Sequence, residues 1–357
     1  MPSPIAPDHP HVLHRGWCDR RDPSCSVLSW PGTGALLRFD SSSIAVRLEG
    51  EGMIEVHLDG RLAHLLGPRM TDGLFLAASG LAPGPHLIEV RKRTEPVAGV
   101  IRLQGFELAA TGTTLPPPQS PPAILFIGDS ITCGYGNLAL NASETFRAET
   151  EDIFRSFAGI ACDRLGTELV ACAWSGKGMV RNFDMEGETL PAIWERSDPL
   201  DPASANAPFG KPPALAIVNL GSNDTFHSDP DWAEFVTTAT DLGRALRTRF
   251  PDIPLILLDG PLLADESLRD PSNGSWRPVL TRVRHALDET CSVLAADAPT
   301  WRFSLPPCEP GEPRGADEHP GIERHRLCGE ALATFLATLP GIALHPGAHD
   351  HEKSSAV

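Results

Sequence analysis

The chain has 357 residues, of which 41% are hydrophobic and 21% charged, and its formal net charge is −16. That balance belongs to a globular protein with apolar material for two cores, and the negative surface argues against nucleic acid and anionic membranes as partners while leaving a neutral substrate compatible. No apolar run approaches the roughly 18–20 residues needed to span a bilayer. The opening stretch "MPSPIAPDHPHVLHRGWCDRRDP" has no apolar segment of a secretory leader, which points to the cytoplasm, or to export if a leader has been trimmed away.

Residues from about 26 to 109 read as short strands. "ALLRFD", "SIAVRLEG", "MIEVHLDG", "HLIEVRKR" and "GVIRLQGFEL" alternate apolar and polar residues, and Gly, Pro and Asp punctuate them. Half-buried strands at this spacing predict a compact β-sandwich, jelly-roll-like, over residues 1–110. Among its residues, Cys18 and Cys25 are spaced to bridge, but reduced thiols are expected of a chain without a leader. "TGTTLPPPQSPP" follows, and its five prolines predict a stiff linker over 111–122.

Beyond residue 122 the alternation stops. "AILFIG", "ELVACAW", "ALAIVNLG" and "PLILLDG" are unbroken apolar runs, with "WRFSL" a weaker one. Such runs predict strands buried on both faces of a parallel sheet. Helical stretches are expected at about 149–165, 231–249, 276–295 and 321–338. This alternation predicts an α/β/α sandwich with a central parallel sheet over 123–345, and a tail without order over 346–357. The Pro-, Asp- and Ser-rich segment at about 181–213 is too long for a simple connection and is expected at a rim or lid.

Ligands of such folds bind beyond the carboxyl ends of the strands, and four motifs fall there. "GDSITCGYGN" places Ser130 directly after the first parallel strand, where a serine is either a helix cap or a nucleophile in need of a base. "CAWSGKGM" offers the N–H of Gly176, and "VNLGSND" offers the side-chain amide of Asn223. With the N–H of Ser130 these make three donors for an oxyanion. "GADEHPG" brings His319 before the last helix as a candidate general base, and Asp317 two residues earlier as a candidate partner for its ring. Each motif alone could be a turn or cap; four of them in order at four strand ends favour a catalytic set. Trp174 and Trp194 are candidate sugar-stacking residues or core packing. Tyr135, the single tyrosine, either orients substrate or braces its loop.

Ser130, Gly176, Asn223 and His319, in that order over about 123–340, resemble the SGNH (GDSL-type) hydrolase superfamily. "GDSITCGYGN", "WSGKGM", "LPAIWERSDP", "NLGSND" and "DEHPG" resemble, within it, carbohydrate esterase family two, the acetyl xylan esterase-like family. That family joins an N-terminal β-sandwich to a C-terminal SGNH domain, so the likeness spans nearly the whole chain. The resemblance implies a serine esterase removing O-acetyl groups from xylan, glucomannan or smaller acetylated carbohydrates. It makes Ser130 the nucleophile, His319 the base, and Ser130, Gly176 and Asn223 the oxyanion hole, with neither metal nor cofactor. Most of the superfamily places an acid three residues before the histidine. Here that position is Ala316; family two has its acid at Asp317, and some members use a backbone carbonyl instead. The alternatives are an SGNH esterase, lipase or thioesterase acting on another short acyl ester, and a non-catalytic carbohydrate-binding protein.

Overall fold

The structure, a computed structural model, describes residues 3–71, 73–205, 209–270, 272–342 and 344; the expected tail at 346–357 lies outside them. Residues 3–115 form two antiparallel sheets packed face to face, of seven and six strands among the described residues. The first runs in the order Leu74–Ser79, Ser43–Glu51, Ile101–Leu108, Cys25–Leu28, Asp19–Asp22. The second runs Thr113–Leu115, Gly34–Asp40, His86–Lys92, Ile54–Leu58, Arg61–Leu66. Period-two alternation sends Ile44, Val46 and Leu48 inward from one sheet and Ile54, Val56, Ile88 and Val90 inward from the other, and these close one core. Cys18 and Cys25 are both free thiols.

Five parallel strands make the third sheet, in the order Glu168–Ala173, Ala123–Gly128, Leu215–Asn219, Leu255–Asp259, Thr300–Ser304. Every residue of Ala123–Gly128, Leu215–Asn219 and Leu255–Asp259 is buried, as expected where helices cover both faces. Helix Trp232–Arg249 shows how sequence dictates this layer. Phe235, Ala239, Leu242 and Leu246 recur on one face and are buried. Asp231 caps the start, accepting from the N–H groups of Ala233 and Glu234 at 2.9 and 3.2 Å. Strand order reverses between Ala123–Gly128 and Leu215–Asn219, so the crevice beyond their carboxyl ends is the topological switch point where such sheets bind ligands. Among the described residues no helix is long and apolar enough to cross a membrane.

The two halves share a core. Trp17 and Trp30 of the first are buried among Val170, Leu190, Ile193 and Trp194 of the second. The Trp30 indole N–H donates to the Arg196 carbonyl at 2.7 Å, and the Ser29 hydroxyl to Asp198 at 2.8 Å. The segment expected as a rim or lid is therefore partly consumed in this seam.

Candidate active site

The loop after strand Ala123–Gly128 enters the short helix Ser130–Cys133. The cap of that helix is Asp129, whose carboxylate accepts from the Ile131 N–H at 3.0 Å. Capping by Asp129 leaves the Ser130 hydroxyl free for another partner, and that partner is His319: its Nε2 lies 2.9 Å from Ser130 Oγ. The two residues are 189 positions apart in the chain. They meet because Gly136 lets the two loops touch. A Cβ at Gly136 would stand 2.4 Å from the Ala316 Cβ, and the Ala316 N–H donates to the Gly136 carbonyl at 3.0 Å.

The other face of the imidazole departs from one of the two expected arrangements. Nδ1 lies 3.2 Å from the carbonyl oxygens of both Ala316 and Asp317. Asp317 and Glu318 hold positive φ, +49° and +65°, a conformation rare for non-glycine residues, and this turn brings both carbonyls under the ring. The Asp317 carboxylate points elsewhere. It accepts from the Tyr135 hydroxyl at 2.8 Å and the Phe146 N–H at 3.0 Å. Asp317 is thus not placed as the hydrogen-bonded acid of a triad; its charge still acts on His319 through space. Burial holds the His319 pKa below its ordinary 6.5, opposed by the two carbonyl contacts and by the Asp317 charge. Tyr135 braces this loop. Its ring lies 4.2 Å from the His319 ring and is stacked at 4.6 Å on Phe146.

Asn223 follows strand Leu215–Asn219 and stands between the other two loops. Its amide Nδ2 donates to the Lys177 carbonyl at 2.8 Å and lies 3.5 Å from the Asp129 carboxylate. Both amide hydrogens thus have an acceptor, and the contact to Asp129, at the long limit of a hydrogen bond, is the weaker of the two and the one an oxyanion would displace. Asp224, next in sequence, is wholly buried and accepts from the N–H groups of Met179, Val180 and Arg181 at 2.9, 2.7 and 3.0 Å. This carboxylate pins the loop that carries Gly176, a role that "GSND" hints at only through its dense polar residues. Among the described residues the N–H groups of Ser130 and Gly176 meet no protein acceptor.

The aromatic candidates divide. Trp174 is half-buried, with the Lys177 ammonium 5.2 Å from its ring centre. Trp194 is 2% exposed and packs edge-on against Trp17 at 6.4 Å. It is a seam residue and offers no face to a sugar, so of its two readings core packing holds and its candidacy as a stacking residue is corrected. Sequence reasoning also passed over Phe183 and Phe226, exposed beside the Gly176 loop with ring centres 4.6 Å apart.

A serine hydroxyl on an imidazole, with that imidazole held by carbonyls and unpaired N–H donors at the same sheet edge, is the arrangement of an acyl-transfer site. The profile of the GDSL-like Lipase/Acylhydrolase family matches residues 126–349. The chain belongs to that family. Residues 15–118 match the carbohydrate esterase 2 N-terminal profile. Among characterised relatives, the chain is 29% identical over 335 residues to the Cellulase/esterase CelE of Acetivibrio thermocellus, an alignment covering 92% of this chain and 39% of that protein. It is 25% identical over 343 residues to an "Acetylxylan esterase / glucomannan deacetylase" of Cellvibrio japonicus, covering 93% of this chain and 90% of that protein. A family two carbohydrate esterase from Clostridium thermocellum, solved with cellohexaose, superposes with a TM-score of 0.80 at 26% identity, covering 91% of this chain and 98% of that one. A family 2 enzyme with a carbohydrate-binding domain from Corynascus thermopiles (Myceliophthora fergusii) gives a TM-score of 0.79 at 28% identity, covering 91% and 98%.

Proposed function

We propose that the chain is a serine esterase that removes O-acetyl groups from carbohydrates. The observation that carries this reading is the 2.9 Å contact between Ser130 Oγ and His319 Nε2 at the switch-point edge, in a chain related over both halves to carbohydrate esterases. Ser130 attacks the acetyl carbonyl as His319 takes its proton. The N–H groups of Ser130 and Gly176 and the Asn223 amide hydrogen that makes only the long contact to Asp129 receive the oxyanion, each worth about 2.7–4 kcal/mol of barrier by analogy with a removed oxyanion donor. His319 then protonates the departing sugar hydroxyl, and water, deprotonated by His319, releases acetate from the acetyl-enzyme. Carbonyl oxygens on Nδ1 fix the tautomer that leaves Nε2 unprotonated in the resting state.

A second reading rests on Phe183 and Phe226. Two exposed rings beside the oxyanion loop would suit a longer or aromatic acyl group. A substrate panel separates the two. Acetylated xylo- and manno-oligosaccharides should be cleaved with kcat/KM well above that for 4-nitrophenyl butyrate and octanoate. The reverse ranking would overturn the sugar reading in favour of the second.

A further inference from the structure

The sandwich sends one acidic side chain to the catalytic edge. Glu95 follows strand His86–Lys92 and has no exposed surface. Both its carboxylate oxygens are taken by a single residue of the other half: one accepts from the Ser175 N–H at 2.6 Å and the other from the Ser175 hydroxyl. Ser175 directly precedes Gly176. The peptide unit joining them carries the N–H assigned above to the oxyanion. On its far side the Gly176 carbonyl accepts from the Phe183 N–H at 2.7 Å. Gly176 itself holds φ +78°, with no neighbour closer than 3.8 Å to where a Cβ would sit. A glycine in open space reaches many backbone angles at little cost, so nothing in Gly176 stops this peptide from turning over. Turned over, it would present the Ser175 carbonyl where a donor is needed.

Glu95 is itself anchored. Its N–H donates to a Glu151 carboxylate oxygen at 3.2 Å, and its carbonyl accepts from the Lys92 ammonium at 3.1 Å. The ammonium also donates to the Ser29 carbonyl at 3.0 Å and to the Thr94 carbonyl. Lys92, Glu95 and Glu151 are all fully buried. Burial raises both carboxyl pKa values above the ordinary range, and the neighbouring Glu95 charge pushes Glu151 further. Burying two acids and an ammonium is costly, and apolar side chains of similar volume would often fill the space with equal or better stability. What they would not supply is two acceptors aimed at Ser175.

We propose that Glu95 is a positioning residue for the oxyanion hole, through which the sandwich holds the Gly176 N–H toward the reacting carbonyl. The proposal rests on the esterase reading, and the experiment separates the two. Full-length wild type, Glu95→Ala, Glu95→Gln and Ser175→Ala are compared by turnover of 4-nitrophenyl acetate, affinity for phenylboronic acid, which forms a tetrahedral adduct on an active serine, and thermal unfolding. Glu95→Ala should lose roughly 10- to 100-fold in kcat, below the ~10²–10³ of deleting a donor outright, with KM within about twofold. Boronate affinity should fall in parallel. Glu95→Gln should recover most of both, since its amide accepts from the Ser175 N–H and donates to the hydroxyl. If Glu95→Ala does not fold, Ser175→Ala carries the test, with an expected severalfold loss in kcat and boronate affinity. Folded variants with wild-type kcat and boronate affinity would overturn the positioning role, as would a fall in unfolding temperature that leaves both untouched. A wild type that releases no 4-nitrophenol overturns the esterase reading and the proposal with it.

Discussion

At the scale of single residues, the site rests on how His319 is held. Two carbonyls, not a carboxylate, meet Nδ1. In a triad whose carboxylate binds the ring, exchange for its amide costs about 10⁴ in kcat. Asp317→Asn should cost less than about tenfold here, because Tyr135 and Phe146 occupy the carboxylate and the carbonyls remain. The Asp317 charge does raise the His319 pKa, so its removal should move the acid limb of the kcat/KM profile to lower pH. In wild type that limb should already lie below pH 6.5, because burial depresses the folded-state pKa and the neutral base persists to lower pH. A limb above 6.5, or a loss near 10⁴ in Asp317→Asn, would contradict this geometry. Ser130, Gly176 and Asn223 stood out as candidates because their motifs follow the buried strands Ala123–Gly128, Glu168–Ala173 and Leu215–Asn219, whereas His319 stood out by its motif alone, on a turn 15 residues past Thr300–Ser304. The carbonyl clamp was not, because it depends on positive φ at Asp317 and Glu318, which neither side chain announces.

At the scale of elements, the nucleophile helix is a local device with its own pH dependence. Burial pushes the Asp129 carboxyl up to about 7 from an ordinary 3.8. A carboxyl so raised stays protonated in the fold while the unfolded chain ionises. The stability it gives is full below about pH 4 and is lost as pH rises toward 7. Asn is as good a cap as Asp and mimics the neutral acid. The unfolding temperature of Asp129→Asn should therefore gain on wild type between pH 5 and pH 8, and an unchanged margin would contradict the raised pKa. The parallel strands were readable as unbroken apolar runs. Strand Arg61–Leu66 was not, because Leu62 and Leu65 face outward and invert the pattern. The helix expected from about 149 begins only at Phe157, since Ala148–Thr150 and Ile153–Arg155 form separate 3-10 turns and Ser156 caps the new start. Thr113–Leu115, inside the proline-rich linker, pairs with Gly34–Asp40, a contact made by tertiary proximity rather than local propensity.

At the scale of the whole molecule, the seam decides behaviour. Trp17, Trp30 and Trp194 share one core with the parallel sheet, so the two halves should unfold together. Trp194→Ala should cost about 3–5 kcal/mol, as for other buried tryptophans, while leaving KM for acetylated oligosaccharides unchanged. Two resolved transitions in denaturant, or a KM effect without a stability loss, would contradict that assignment. Both halves could be read separately from the sequence, one from alternation and one from apolar runs. Their docking could not, since a tryptophan in a seam and a tryptophan in a sugar cleft look alike until a partner covers one of them. All of this chemistry depends on Ser130 acting as the nucleophile. The most direct measurement is acetate release from acetylated xylo-oligosaccharide and 4-nitrophenyl acetate by wild type and Ser130→Ala. Wild type should release acetate from both substrates and the variant none above background; an inert wild type, or a variant as active as wild type, would refute Ser130 as the nucleophile.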